Sequence, residues 1–213
     1  MAFIKKSPEP RNLADDERTG SRDFEGLICK LDDPDSGVRR WAARDLAVHP
    51  GASAALLGRL ERENEVSVRE VILTALVRIA DLVAVAGFVS CLRSEDANLR
   101  NEAIEAMKSL PVEVAPIMRG LLVDQDADVR IFAINILESL RHPDVEAWLL
   151  EVIERDPMVN VCGTAVDLLS EVGSSASHDA LERLKARFAA EPYIQFAADL
   201  ALQRIAPASD GQK

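Results

Sequence analysis

The sequence predicts an all-α fold, an α-solenoid built from about six copies of a helical hairpin. Three observations support this prediction. A unit of roughly thirty residues recurs along the chain, its apolar residues fall at the spacing of a helix rather than a strand, and aromatic side chains are scarce. Of 213 residues, 48% are hydrophobic and 4% aromatic. That balance suits helices packed through small aliphatic side chains better than a β-sandwich.

The repeated unit begins with an acidic residue. After two or three spacers it continues through an aliphatic residue, an arginine and an alanine-rich stretch. We call the aliphatic residue the anchor of its copy. Successive anchors are 30, 31, 30, 32 and 33 residues apart, so the copies have nearly constant length. The anchors are Val38, Val68, Leu99, Val129, Val161 and Ile194.

Each anchor lies near the start of a predicted helix, which we call an anchor helix. With the anchor as zero, apolar or small residues recur at offsets 4, 7, 8 and 11, and offset 5 is apolar in five copies. This stripe is wider than a single packing partner requires, so we expect a neighbouring helix on both flanks. The copies that contain the predicted anchor helices cover 33–47, 63–79, 94–110, 124–140, 155–172 and 191–205.

A shorter amphipathic segment lies between successive anchor helices, and another precedes the first one. Turn signals at 49–51, Pro111, 142–144 and 173–175 separate the two kinds of segment. One hairpin cannot bury its apolar face alone, but a stack of hairpins can. We therefore predict a solenoid over 22–206, with flexible tails at 1–21 and 207–213. The short segments cover 24–31, 53–61, 82–92, 114–122, 145–153 and 178–189.

The unit resembles the HEAT-like repeat of the phycobilin-lyase type, whose copies carry an acid–Pro–acid turn followed by Val-Arg and an Ala-rich helix. The copy DPDSGVRRWAARDLA at 33–47 is a strong match, as are those at 96–110 and 126–140. The resemblance covers roughly 24–206. It implies an α-solenoid whose anchor helices line the concave side and which serves as an interaction scaffold. Phycobilin lyases handle a linear tetrapyrrole and a target cysteine, so the resemblance also implies an alternative activity.

Four copies place an acidic residue four positions before the arginine. Near a helix start, such an acid can cap free N–H groups and also lies within reach of the arginine one turn on. We interpret these pairs as a structural ladder that sets the angle between repeats, with anion or acidic-peptide binding as the alternative. The pairs are Asp35 and Arg39, Glu65 and Arg69, Asp96 and Arg100, and Asp126 and Arg130. Met158 and Cys162 interrupt the series, so we expect less regular stacking after them.

The formal net charge of −11 argues against a nucleic-acid partner, because that affinity rests largely on Lys and Arg. It also disfavours anionic membrane surfaces. The first residues lack the apolar stretch of a secretory signal. No run approaches the roughly 20 apolar residues that span a bilayer. We therefore expect a cytoplasmic protein.

The residues that most often carry chemistry are isolated. The histidines lie in predicted turns or at a helix start, and no HExxH or zinc-ligand spacing occurs. The cysteines lie inside apolar helical patterns, where we expect small buried hydrophobes. We therefore expect no catalytic residue, no metal and no cofactor. These residues are His49, His142, His178, Cys29, Cys91 and Cys162.

Offsets 2, 6 and 9 of the anchor helices point away from the predicted core and form what we call the ridge. It runs from a basic end through a mixed acidic middle to an apolar end, and its apolar members suggest an interaction site. We expect it to bind a partner. The candidate residues are Arg40, Arg44, Glu70, Glu105, Ile131, Glu138, Phe196 and Leu200, and the same offsets include Gly163.

The sequence thus favours a non-enzymatic scaffold or adaptor that binds another protein along the ridge. Two alternatives remain open: a phycobilin-lyase-like or cofactor-protein accessory factor, and a self-associating structural module. Phe196 and Leu200 fit either a binding site or an end cap, because the last helix of a solenoid has no neighbour on one side. A homodimer formed through the C-terminal repeat would cover them.

Overall fold

A computed structural model describes residues 23–205 of the chain. The predicted tails at 1–21 and 207–213 lie outside the described residues. Within 23–205 every regular element is helical: twelve α-helices and one short 3-10 turn, with no strand. The predicted all-α solenoid class is therefore confirmed.

Short helices and anchor helices alternate along the described chain. The short helices are α1 (Phe24–Lys30), α3 (Ser53–Leu60), α5 (Leu82–Cys91), α7 (Pro111–Leu121), α9 (Val145–Arg155) and α11 (His178–Arg187). The anchor helices are α2 (Ser36–Leu46), α4 (Val66–Ile79), α6 (Ala97–Lys108), α8 (Ala127–Leu137), α10 (Val159–Val172) and α12 (Pro192–Ile205). Pro111, predicted as a turn residue, is instead the first residue of α7, where its missing N–H costs nothing.

Every anchor is the third residue of its helix, so the repeat read from the sequence coincides with the repeat of the fold. Val68, Val129, Val161 and Ile194 are fully buried. Val38 and Leu99 are half-buried.

The chain divides into two compact units, with the boundary after Ala84, inside α5. In the first unit α2 packs on α4, α1 packs on α2, and α3 packs on α4. In the second unit the anchor helices α6, α8, α10 and α12 pack on one another in chain order. The short helices α7, α9 and α11 each pack against the anchor helix that follows. Anchor helices with neighbours on both flanks explain the wide apolar stripe.

Offset 4 of the anchor helices combines burial with small side chains. It is fully buried in all six copies, and five of the six residues are alanine. A methyl side chain lets a neighbouring backbone come close, and a larger one would force it away. The residues are Ala42, Ile72, Ala103, Ala133, Ala165 and Ala198.

We predict that Ala133→Leu lowers the free energy of unfolding by about 1–3 kcal/mol, because the larger side chain overpacks the space around α8. Ala147→Leu on the exposed face of α9 is the matched control and should change stability by less than about 0.5 kcal/mol. Urea titrations followed by circular dichroism measure both. Equal effects of the two substitutions would contradict close packing at offset 4.

Candidate functional site

The turn before each anchor helix is a recurring hydrogen-bonded structure. The residue five before the anchor accepts the backbone N–H of the residue two positions later, at 2.8–3.1 Å, in five copies. In three copies the residue three before the anchor then caps the helix, at 2.7–2.9 Å. The capping residues are Asp35, Asp96 and Asp126, whereas Glu65 makes no side-chain cap bond.

The arginine that follows the anchor donates hydrogen bonds to backbone carbonyl oxygens of this turn. Arg39 donates from Nη1 to the carbonyl oxygens of Asp33 and Pro34, at 2.9 and 3.0 Å. Arg100 and Arg130 donate to the carbonyl oxygens five and six residues before them in the same way. Carbonyls that would otherwise lack partners at the turn are thereby satisfied.

The predicted pairing of Asp35 with Arg39 is wrong. The Asp35 carboxylate faces the N–H groups of its own helix, and Arg39 instead forms a bidentate pair with Glu63 of the next repeat, at 2.8 and 2.9 Å. Arg39 is 7% exposed and Glu63 5%, so the pair is buried. The ionic contact therefore joins two repeats rather than two turns of one helix.

The same correction applies to Asp126 and Arg130. Arg130 pairs with Asp156, 26 residues farther along, with Nε to Oδ2 at 2.5 Å and Nη2 to Oδ1 at 3.1 Å. Both residues are buried. Arg69 is half-buried on α4.

At Cys162, where the anchor is not followed by an arginine, an arginine from another helix makes the contacts, and the sequence did not predict it. Arg187 on α11 reaches back to donate to the carbonyl oxygens of Ile153, Glu154 and Asp156, at 2.6–3.0 Å, and to Cys162 Sγ at 3.2 Å. It occupies the role that the arginine after the anchor has in earlier copies. In the structure α10 packs on α12, and less regular stacking after Cys162 stays a prediction. Burial raises the pKa of the Cys162 thiol to about 11, so it stays protonated.

The first unit presents the predicted basic end of the ridge. Arg40, Arg44 and Glu70 are all exposed. The guanidinium carbons of Arg40 and Arg44 lie 5.8 and 5.1 Å from the ring centre of Trp41, within the range of cation–π attraction.

The second unit exposes Glu105, Glu138, Phe196 and Leu200. Ile131 was predicted to be exposed with them but is half-buried, because α8 has anchor helices on both flanks.

Gly163 was also predicted to be exposed, and it is buried. The Tyr193 ring of α12 lies over it, so close that a Cβ at position 163 would come within 2.6 Å of Tyr193 Cε1. The Tyr193 hydroxyl donates to Asp167 Oδ2 at 2.6 Å, and this bond together with burial raises the pKa of Tyr193 to about 12. The glycine therefore serves the packing of α10 on α12.

An open cleft of about 240 Å³ lies on the ridge between α8 and α10. Asn135 and Thr164 line it together with the carboxylates of Glu138, Asp167 and Glu171. Lys108 of α6 approaches Glu138 to 3.2 Å at one edge. Its lining favours a positively charged or hydrogen-bond-donating group.

The histidines and cysteines lie largely where the sequence predicts them. His49 and His142 are in turns, and His178 begins α11. Cys162 is buried, but Cys29 is exposed, contrary to expectation. Among residues 23–205, no group of three His, Cys, Asp or Glu side chains could hold a metal ion. No helix in this range is long and apolar enough to cross a membrane.

Comparison with known proteins gives a family match over most of the chain. A family model described as HEAT repeats matches residues 24–109 and 114–203. No curated protein matches.

Three similar solved structures each have a TM-score below 0.5. An engineered protein is 21% identical, with a TM-score of 0.41 over 84% of this chain and 94% of that one. The complex of CpcE and CpcF of phycocyanin lyase from Nostoc sp. PCC7120 is 16% identical, with a TM-score of 0.38 over 95% and 100%. A designed armadillo repeat protein in complex with the peptide (KR)4 is 17% identical, with a TM-score of 0.42 over 84% and 98%.

The buried Glu63 predicts a specific pH dependence. Burial alone would raise the pKa of its carboxyl, but hydrogen bonds from Arg39 and Arg59 outweigh burial and lower the pKa to about 2. A depressed pKa stabilises the fold fully above the unfolded value of about 4.3, and this stability is lost as pH falls toward about 2.

We therefore predict that Glu63→Gln costs about 3–5 kcal/mol at pH 7, since it leaves Arg39 buried without its carboxylate. The difference in unfolding free energy between wild type and Glu63→Gln should decrease as pH falls below about 4. Asp32→Asn is the control, because Asp32 and Arg62 form an exposed pair at 2.6 Å worth at most about 1 kcal/mol. Urea unfolding at several pH values measures all three proteins. If the difference in unfolding free energy between the two proteins does not change with pH, the charge of Glu63 is not what stabilises the fold.

Proposed function

The chain belongs to the HEAT repeat family, and on this premise we propose that it is a non-enzymatic scaffold that binds another protein along the ridge of its anchor helices. The cleft between α8 and α10 is the observation that carries the proposal. It opens between two anchor helices that pack on each other, and its carboxylates have further acceptor capacity beside the contacts that Lys108 makes to Glu138 and Tyr193 makes to Asp167.

The chemistry of the cleft indicates the partner's contact residues. Glu138, Asp167 and Glu171 can accept hydrogen bonds from a lysine or arginine side chain, and such charge-assisted bonds are about twice as strong as neutral ones. Complementary charge also steers encounter and fixes orientation. We propose a partner segment that presents a basic side chain to this cleft.

Phe196, on α12 of the same unit, supplies the apolar part of the proposed surface. It is 68% exposed, and Leu200 one turn later is also exposed. Exposed aromatic residues beside a polar surface often dominate binding energy. We therefore propose that the partner contacts both the cleft and this apolar end.

Self-association through Phe196 and Leu200 is a second candidate function. The exposed fraction of Phe196 favours it, because a second copy could cover the same side chains. Light scattering over a range of concentrations distinguishes the two. A dimer that Phe196→Asp disrupts supports self-association. A protein that stays monomeric at all concentrations supports a foreign partner.

The scaffold proposal predicts that Glu138→Lys combined with Glu171→Lys abolishes capture of the native partner. Reversing two charges at the cleft should weaken binding by at least about tenfold. Affinity capture followed by mass spectrometry identifies the partner, and titration of the purified pair gives the affinity. Asp179→Lys combined with Glu61→Lys, at two exposed sites away from the cleft, is the charge-matched control. An unchanged set of captured proteins in the cleft variant would contradict the proposal.

A further inference from the structure

Two adjoining cavities lie away from the ridge, on the short helices of the second unit. One has a volume of about 470 Å³ and the other about 850 Å³. Both are lined by Arg119 of α7 and Trp148 of α9, so these two side chains form their shared wall. We call the two cavities together the outer groove.

The outer groove is bordered by exposed apolar side chains. Val112 is 78% exposed beside the larger cavity, and Val123 is 77% exposed beside the smaller one, where Met158 is also exposed. Grouped apolar exposure of this kind marks an interaction surface more often than single exposed residues do.

The larger cavity is positively charged in a chain whose net charge is −11. Arg119, Arg141 and His142 line it, and no carboxylate does. Arg141 forms no ion pair with any residue in 23–205, and neither does Arg155 at the smaller cavity. Arg119 meets Glu151 at 3.2 Å, but both side chains are largely exposed, so this pair adds little and is easily exchanged.

The polar side chains at the shared wall are hydrogen-bond donors. Trp148 is 5% exposed, and its buried Nε1–H has no acceptor among the described residues. His142 stacks on the Trp148 ring at 4.8 Å, and its Nδ1 accepts the N–H of Asp144 at 3.2 Å, which leaves Nε2 as the donor. A buried donor without an acceptor costs free energy, so the Trp148 Nε1–H is a polar group that the described residues leave unsatisfied at this wall.

We propose that the larger cavity of the outer groove binds an acidic peptide segment of a partner protein. Its carboxylates pair with Arg141 and Arg119, and a neighbouring apolar side chain packs between Val112 and the Trp148 wall. Charge complementarity selects this occupant, because Arg141 has no ion-pair partner within 23–205, Arg119 has only an exposed one, and both line a cavity that no carboxylate lines. The inference is independent of the proposed ridge function, since Arg119, Arg141 and Trp148 lie outside the ridge cleft and the larger cavity presents cations where the cleft presents carboxylates.

Trp148 itself reports occupancy. The chain has two tryptophans, so Trp41→Phe leaves Trp148 as the single indole fluorophore. The probe is a short tryptophan-free peptide in which glutamates flank a phenylalanine, and its counterpart carries lysine in place of every glutamate. We expect the acidic peptide to change Trp148 emission in a saturable, salt-sensitive way, and the basic peptide to leave it unchanged.

Arg141→Glu tests the site directly and, being exposed, should leave the fold intact by circular dichroism. We expect it to weaken acidic-peptide binding by at least about tenfold. Arg78→Glu, an exposed site on the first unit, is the matched control and should bind like wild type. Absence of saturable binding, equal binding of the basic peptide, or unchanged affinity in Arg141→Glu would each overturn the proposal. The double variant Glu138→Lys and Glu171→Lys should keep outer-groove binding, which separates this result from the ridge test.

Discussion

A buried guanidinium beneath the turn that begins an anchor helix is the interaction on which the rest of the structure depends. Arg39 and Arg130 each satisfy two carbonyl oxygens of their own turn and a carboxylate of the next repeat. The planar fork of arginine can make these bonds at once, which the point charge of lysine cannot. Local turn geometry and the stacking of repeats are therefore set by the same side chain.

This constraint positions both surfaces of the second unit. The ridge cleft lies between α8 and α10, whose starts are tied together by Arg130 and Asp156. The same two side chains form part of the inner wall of the smaller cavity of the outer groove. Where the arginine is replaced by Cys162, Arg187 restores the tie from the following repeat.

The sequence predicts what depends on neighbours within one helix. The anchor Val129 and the cap Asp126 follow from periodicity and from capping preferences, and both lie as expected. The partner of Arg130 does not follow, because Asp156 comes close only when α9 and α10 are stacked in three dimensions. Gly163 was misjudged for the same reason, since only the packing of α12 brings Tyr193 over it. The sequence offers only one weak indication of the role of Arg187, which is that a basic residue lies shortly before the last anchor helix.

A double-mutant cycle on Arg130→Met and Asp156→Asn tests the central role of the buried pair most directly. Asparagine retains a side-chain oxygen for the Met158 N–H, so the cycle isolates the contact between repeats. Unfolding free energies of the four proteins should give a coupling energy above about 1.5 kcal/mol. A coupling within about 0.5 kcal/mol of zero would show that the repeats are held together by apolar packing alone.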